Sequence, residues 1–222
     1  MVGMGQHARG KLITLEGGEG AGKSTVLAAV REQLARAGQD VLVTREPGGT
    51  PAGEAIRAVL LDPDRRGLCA ESELLLMFAS RAQLVRDVVE PALAAGRWVL
   101  SDRFTDASYA YQGGGRGQPT ARIAELERWA ACGLEPDLTL LLDLPVGEGL
   151  ARARGRGPID RIEMESVEFF ERVRAAYRAR AAGAPARFRV IDASDALDAV
   201  LAQVDRVIAE FVRTTQREGV SS

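Results

Sequence analysis

The 222-residue chain has no asparagine, one histidine, two cysteines and two lysines. Each scarcity excludes something. His7 lies in the first ten residues, so histidine-based acid–base or metal chemistry has no material to work with. Cys69 and Cys132 are isolated and lack C-x-x-C spacing, so neither a disulfide framework nor a zinc site is indicated. Without asparagine there is no N-K-x-D motif for reading guanine. No apolar run approaches the roughly 18 residues of a membrane span. Residues 1–10 lack the apolar core of a secretion signal, and a cytoplasmic location is expected. A net charge of −2 shows none of the basic excess that marks nucleic-acid binders, so neither nucleic acid nor membrane is expected as a partner. The remainder, 46% hydrophobic and 27% charged, suits one α/β domain with an ample core.

Against this background one stretch stands out. Gly17-Gly18-Glu19-Gly20-Ala21-Gly22-Lys23-Ser24 matches the phosphate-loop pattern G-x-x-x-x-G-K-[ST] in full. The run before it, Lys11–Glu16, reads as a strand. The run after it, Thr25–Ala37, carries Val26, Leu27, Val30 and Leu34 at helical spacing. Strand, glycine-rich loop and helix together aim backbone N–H groups and a helix N-terminus at a polyphosphate. In such a loop Lys23 reaches the β- and γ-phosphates of a nucleotide, and the Ser24 hydroxyl completes a Mg²⁺ shell. Of 29 basic residues only Lys11 and Lys23 are lysine, so an arginine-biased chain keeps a slim ammonium where the loop needs one.

Five apolar runs alternate with helical patterns: Leu12–Leu15, Val41–Thr44, Trp98–Ser101, Leu138–Asp143 and Phe188–Asp192. The central runs are continuously apolar, as parallel strands covered on both faces are, and imply a doubly wound five-stranded parallel sheet flanked by helices. Helices are predicted at Thr25–Ala37, Gly53–Leu61, Glu71–Ala95, Thr120–Cys132, Val146–Arg154, Ser166–Ala182 and Ala196–Thr214, with Pro91 kinking or restarting the third. Gln112–Thr120 and Ala153–Asp160 read as glycine-rich loops on the ligand side of the sheet. Residues 1–10 are expected to be a disordered tail, 11–212 one domain with a lid at about 145–161, and 213–222 a frayed polar tail.

Asp102-Arg103 follows the third strand directly, where an acid helps to hold Mg²⁺ and an arginine fork meets a second phosphate. A surface ion pair is the bland alternative. Arg152, Arg154 and Arg156, with Arg161 beyond, make an arginine-rich segment interrupted by Gly155 and Gly157. A solvated charged face would explain many such runs. The phosphate loop holds no arginine, however, so a lid closing over the transferring phosphoryl group is favoured. Asp64-Arg65-Arg66-Gly67 matches the D-x-x-G pattern of GTPase switches, but weakly and without its guanine-reading companion.

The phosphate loop, Thr44–Thr50, Ser80-Arg81-Ala82-Gln83, Asp102-Arg103-Phe104, Tyr111–Gly117 and Asp160-Arg161-Ile162-Glu163 occur in order. In this the chain resembles the bacterial thymidylate kinases from Lys11 to about Phe211. The resemblance implies transfer of the ATP γ-phosphoryl group to dTMP with Mg²⁺, in a homodimer; another nucleoside-monophosphate or deoxynucleoside kinase is the alternative, and a phosphate-loop switch or partition protein a more distant one. It also implies the lid-arginine type, because Glu19-Gly20-Ala21 occupies the loop. The ATP phosphates then fall to Gly17, Gly18, Glu19, Gly20, Ala21, Gly22, Lys23, Ser24 and Thr25. Charge at the transferring group falls to Lys23, Arg103 and the lid, with Arg154 first and Arg152 and Arg156 behind it. By position, Glu19 approaches the sugar 3′-hydroxyl, while Arg103 and Arg57 hold the dTMP phosphate. Arg81 meets thymine O4, Ser108 the N3 side, and Tyr111, beside Gln112, the sugar face lacking a 2′-hydroxyl. Mg²⁺ falls to Ser24 and Asp102. One departure stands out. The family places a stacking phenylalanine four residues before the base-reading arginine, where this chain has Met77. Phe78, one residue later, is the expected stacking side chain after a local adjustment, with Met77 the softer alternative.

Overall fold

Segments rich in leucine, valine and isoleucine, separated by stretches long enough for helical crossovers, assemble here into one parallel sheet. The structure, a computed structural model, describes residues 9–65, 67–154 and 159–220, the last three without their side chains. The chain runs through β1 (Leu12–Gly17), α1 (Lys23–Arg36), β2 (Val41–Arg45), α2 (Pro51–Leu61), α3 (Ala70–Leu84) and α4 (Glu90–Ala94). It continues through β3 (Trp98–Asp102), α5 (Thr105–Ser108), α6 (Thr120–Ala130), β4 (Leu138–Asp143) and α7 (Val146–Ala153). It closes with α8 (Val167–Gly183), β5 (Phe188–Asp192) and α9 (Leu197–Val220). The strand order is β2-β3-β1-β4-β5, all parallel, as the alternation of elements predicts.

β1 lies at the centre and is buried along its whole length. Successive residues point to opposite faces. Ile13 and Leu15 meet Val26, Val30 and Leu34 of α1 and Val204 and Ile208 of α9. Leu12 faces Val99 and the Val85–Leu93 segment on the other side. Each such side chain contributes roughly 1.5–3 kcal/mol by leaving water. The register sets Arg45 of β2 and Leu15 of β1 beside Asp102 of β3, so three strands present their carboxyl ends together. That end, next to the reversal of strand order, is where open α/β sheets bind ligands.

Three expectations about chain segments need correction, whereas the long third helix restarts at Pro91 as predicted: α3 gives way to a π-helical turn at Val85–Val89, and α4 follows with Pro91 in its first turn. Pro91 has no N–H for the ladder, and the wider turn ahead of it absorbs the change of register. The glycine-rich stretch from Gln112 is wound to Gly115 as part of a π-helical segment, Tyr109–Gly115. Two of its glycines face α8: a Cβ on Gly114 would lie 2.7 Å from Ala176, and one on Gly115 2.5 Å from Phe169. Close packing, not flexibility, needs them. The polar C-terminal tail is instead helical to Val220, because no proline follows Thr214 and Thr215–Glu218 can extend an anchored helix. At the other end, Arg9 pairs with Asp137 at 3.0 Å and Gly10 N–H donates to Leu93 O at 2.8 Å, so both dock on the body. The rest of the predicted tail, residues 1–8, lies outside the described residues.

Candidate active site

The phosphate loop leaves β1 with Gly17 at φ 141° and enters α1 from Gly22 at φ 86°, conformations that side-chain-bearing residues rarely adopt. The Lys23 and Ser24 N–H groups at the start of α1 precede the first bonds of the helix, which Thr25 and Val26 make to Gly22 O at 3.1 Å, and so are open to whatever fills the loop. Gly20 lies against α7 so closely that a Cβ would sit 2.0 Å from Gly149 O. Backbone-to-backbone contact thus ties the phosphate loop to α7. Lys23 Nζ donates to Gly18 O at 2.8 Å and Gly17 O at 3.2 Å. Burial and the neighbouring Arg103 bring its amine down to about 8, opposed by Glu19, Asp102 and Glu16. Ser24 and Thr25 are exposed at the loop's mouth.

Beside the loop opens a cleft of about 250 Å³. Glu19, Lys23, Asp102 and Arg103 line one wall; Arg45, Glu46, Pro47 and Arg57 line another. Met77, Tyr111, Gln112, Asp160 and Glu163 complete it. Three buried acceptors in these walls have no hydrogen-bond partner among the described residues: Glu46 Oε1, Asp102 Oδ1 and Gln112 Oε1. An unmet buried acceptor costs about 1–3 kcal/mol, so three converging on one cleft mark it as built for a polar or cationic occupant. Burial also holds the Glu46 carboxyl above the usual range in spite of Arg81.

Arg103 forms the floor. Its Nη1 donates to Gly17 O and Tyr177 Oη, each at 3.0 Å; its Nη2 donates to Glu19 Oε1 at 2.9 Å and Tyr111 Oη at 3.0 Å. Tyr111 Oη in turn donates to Glu19 Oε1 at 2.7 Å, and the guanidinium lies 4.8 Å from the Tyr111 ring centre. Arg103 sits at φ 70°, a left-handed conformation that costs a non-glycine residue on the order of 1 kcal/mol. On α2, capped by Thr50 Oγ1 accepting from Gly53 N–H at 3.0 Å, Arg57 donates to Pro47 O at 2.9 Å.

Other expected residues lie elsewhere. Arg81 is buried: Nε donates to Glu46 Oε2 at 2.8 Å, Nη1 to Ser108 Oγ at 3.0 Å and Nη2 to Phe104 O at 3.1 Å. Arg81 and Ser108 therefore form a layer behind the cleft wall. Phe78 is 3% exposed and packs in the core with Leu74, Tyr109 and Ile123, beneath the Arg81 guanidinium at 4.5 Å. The expectation that Phe78 faces a base is corrected: helical phase turns it inward and turns Met77 to the cleft. Arg152, expected in the lid, donates from Nη1 across to Ala193 O, just past β5, at 2.9 Å. Arg161 is a buried clamp, donating to Leu60 O at 2.7 Å and Glu73 Oε2 at 2.8 Å. Arg154 is exposed at the end of α7. Arg156, also expected in the lid, lies outside the described residues.

Arg45, Glu46, Asp160 and Glu163 line the cleft without having been assigned roles from sequence. The signal that would have found the first two is their place at the carboxyl end of β2, level with Asp102. The donor set suits a magnesium ion: Asp102 offers an unpartnered carboxylate oxygen and Ser24 an exposed hydroxyl near the loop. Magnesium bound with nucleotide phosphates takes only one or two protein ligands and keeps several waters. Accordingly, no cluster of three or more His, Cys, Asp or Glu capable of holding a metal occurs among the described residues.

A five-stranded parallel sheet with a phosphate loop on its central strand, facing an arginine-floored cleft, defines a phosphate-loop nucleotide kinase. Comparison with known proteins narrows this. The family model "Thymidylate kinase" matches residues 15–204. A thymidylate kinase of Ectopseudomonas mendocina is 56% identical over 203 residues, 91% of this chain and 97% of that protein. One of Alkalilimnicola ehrlichii is 55% identical over 205 residues, 92% and 94% of the two chains. The crystal structure of thymidylate kinase from Ehrlichia chaffeensis superposes with a TM-score of 0.74 at 30% identity, covering 90% of this chain and 99% of that one. The chain belongs to the thymidylate kinase family.

Proposed function

We propose that the protein transfers the γ-phosphoryl group of ATP to dTMP, giving dTDP and ADP. The observation that carries the reading is the single cleft in which Lys23, the Arg103 fork and three unpartnered buried acceptors converge. Loop N–H groups and Lys23 cradle the ATP phosphates. Bound Mg²⁺, held through Ser24 and Asp102, would neutralise charge on the β- and γ-oxygens. Arg103 and Arg57 grip the dTMP phosphate. One of its oxygens forms the new bond to γ-phosphorus as the β–γ bridging bond breaks and ADP departs. That oxygen is already anionic at neutral pH, so no general base is needed, and the chemistry rests on alignment and charge. Glu19 and Tyr111, bonded to each other, bound the sugar. Met77 offers the base an apolar wall, with Arg81 and Ser108 behind it and Gln112 Oε1 free to accept.

A coupled assay across dTMP, dUMP, dCMP, dGMP, AMP and ribothymidine monophosphate tests this. dTMP should be fastest. The 5-methyl contact gives about 1–3 kcal/mol against dUMP. Rejection of the ribonucleotide should be steeper and should weaken in Tyr111→Ala; unchanged sugar selectivity there would remove Tyr111 from this role. Another acceptor outrunning dTMP would overturn the substrate assignment.

The family resemblance also favours a homodimer. Trp129 of α6 and Leu75 of α3 are 80% and 57% exposed and share an apolar groove with Leu74 and Leu126, a face suited to a second copy of the chain. Sedimentation should report a dimer that Trp129→Glu converts to monomer; a dimer that survives the change must use another face. Exposed free thiols at Cys69 and Cys132 fit a reducing, cytoplasmic setting. Among the described residues no helix is long and apolar enough to cross a membrane.

A further inference from the structure

Beneath the floor of the cleft lies a carboxylate that the transfer itself does not use. Glu16 is the last residue but one of β1, fully buried, and does not line the nucleotide cleft. Burial, aided by Asp106, pushes its carboxyl up to about 8 against the opposing pull of Arg103 and two hydrogen bonds. An apolar side chain would fill a strand core without that penalty, so the carboxylate calls for a reason.

The geometry supplies one. Glu16 Oε1 accepts from Phe104 N–H at 2.7 Å, fixing the backbone immediately after Arg103. Glu16 Oε2 accepts from Tyr177 Oη at 2.7 Å, and Tyr177 Oη accepts from Arg103 Nη1 at 3.0 Å. One buried carboxyl group therefore braces Arg103 from two sides, through the Phe104 N–H of the peptide that follows it and through Tyr177, which its guanidinium meets. The backbone of Arg103 needs holding because it is left-handed. Besides Glu16, Arg103 N–H donates to Leu15 O at 2.9 Å and Ser101 Oγ donates to Arg103 O at 2.6 Å. Tyr177 is itself fixed, since α8 is pinned by Arg174 on Asp143 at 2.7 and 3.0 Å and by Arg180 on Asp106 at 2.8 Å. A guanidinium aimed by bonds formed before substrate arrives loses less freedom on gripping a phosphate.

We propose that Glu16 and Tyr177 are positioning residues that hold the Arg103 fork in the pose that grips the acceptor phosphate. This rests on the reading of Arg103 as a phosphate ligand. It also names a role that a merely structural network would not have: the ring of bonds serves the phosphate and not the base or sugar.

The test compares two probes by calorimetric titration, dTMP and thymidine, which share base and sugar and differ in the phosphate. Tyr177→Phe removes one oxygen and keeps the ring that meets Tyr111 edge-on at 6.2 Å, so it should fold. It should weaken dTMP about tenfold, the scale of one charge-assisted hydrogen bond, and leave thymidine within about twofold. Glu16→Gln, whose amide keeps one acceptor oxygen and replaces the other, should weaken dTMP in the same direction by no more than Tyr177→Phe does. In an Arg103→Ala background, Tyr177→Phe should cost dTMP nothing more. Equal weakening of thymidine and dTMP, or dTMP binding untouched by Tyr177→Phe while Arg103→Ala weakens it, would overturn the proposal alone. An Arg103→Ala variant that binds dTMP normally would overturn the phosphate reading beneath it as well.

Discussion

Lys23→Ala should lower kcat by at least about 10²–10³-fold and leave a folded protein, because the ammonium is the one fixed positive charge on the loop that meets the β- and γ-phosphates. Lys23 Nζ already rests within 3.2 Å of two loop carbonyls, so its reach is set before nucleotide arrives. Without the lysine, Gly17 O still accepts from Arg103 Nη1 at 3.0 Å, and Gly18 is only half-buried. The amine is meanwhile drawn down to about 8 by burial and by Arg103, which means that its charge is held there at a cost to the fold. The variant should therefore melt at or above the wild-type temperature while losing turnover, the signature of a group kept for function. Steady-state kinetics together with a thermal melt decide it. A variant with near-normal kcat would remove the phosphate-loop assignment, and one that fails to fold would make Lys23 a structural residue.

The sheet was legible because parallel strands buried on both faces must be continuously apolar, and Leu138–Asp143 can hardly be anything else. The phosphate loop was legible because its glycines and lysine are forced by backbone shape and charge. Side-chain direction was not. Met77 and Phe78 differ by about 100° around α3, and only packing against Tyr109 and Ile123 decides which one turns inward. Arginines read alike in a string. Arg152 ends on Ala193 O, Arg161 on Leu60 O and Glu73, and Arg103 on Gly17 O, Glu19 and two tyrosines. Apart from Tyr111, eight residues from Arg103, each partner is distant in sequence, so its identity depends on the finished fold. Glu16 reads as one polar residue ending an apolar strand, and its meaning appears only once α8 brings Tyr177 over it.

Arg154→Ala should cut kcat strongly, by up to the 10³–10⁵-fold seen where an arginine stabilises a transferring phosphoryl group, with little change in the KM for dTMP. Of the arginines expected to supply that charge, Arg152 and Arg161 are committed to backbone and carboxylate partners. Arg154 has no side-chain partner among the described residues and is exposed at the end of α7. It stands five residues beyond Gly149, the point where α7 touches the phosphate loop, a rise of about 7.5 Å along the helix. That is within reach of a long side chain folding back over the loop. An interaction made only as charge spreads over the phosphoryl oxygens lowers kcat without raising KM. Lysine should rescue poorly, because a point charge cannot fork across two oxygens. Arg156 sits two positions on and can share the load, so the decisive protein is Arg154→Ala/Arg156→Ala. Wild-type kcat in that double variant would reduce the segment to a solvated basic loop. The charge at the transferring group would then fall to Lys23 and to Arg45, Arg57 and Arg103, the arginines that line the cleft.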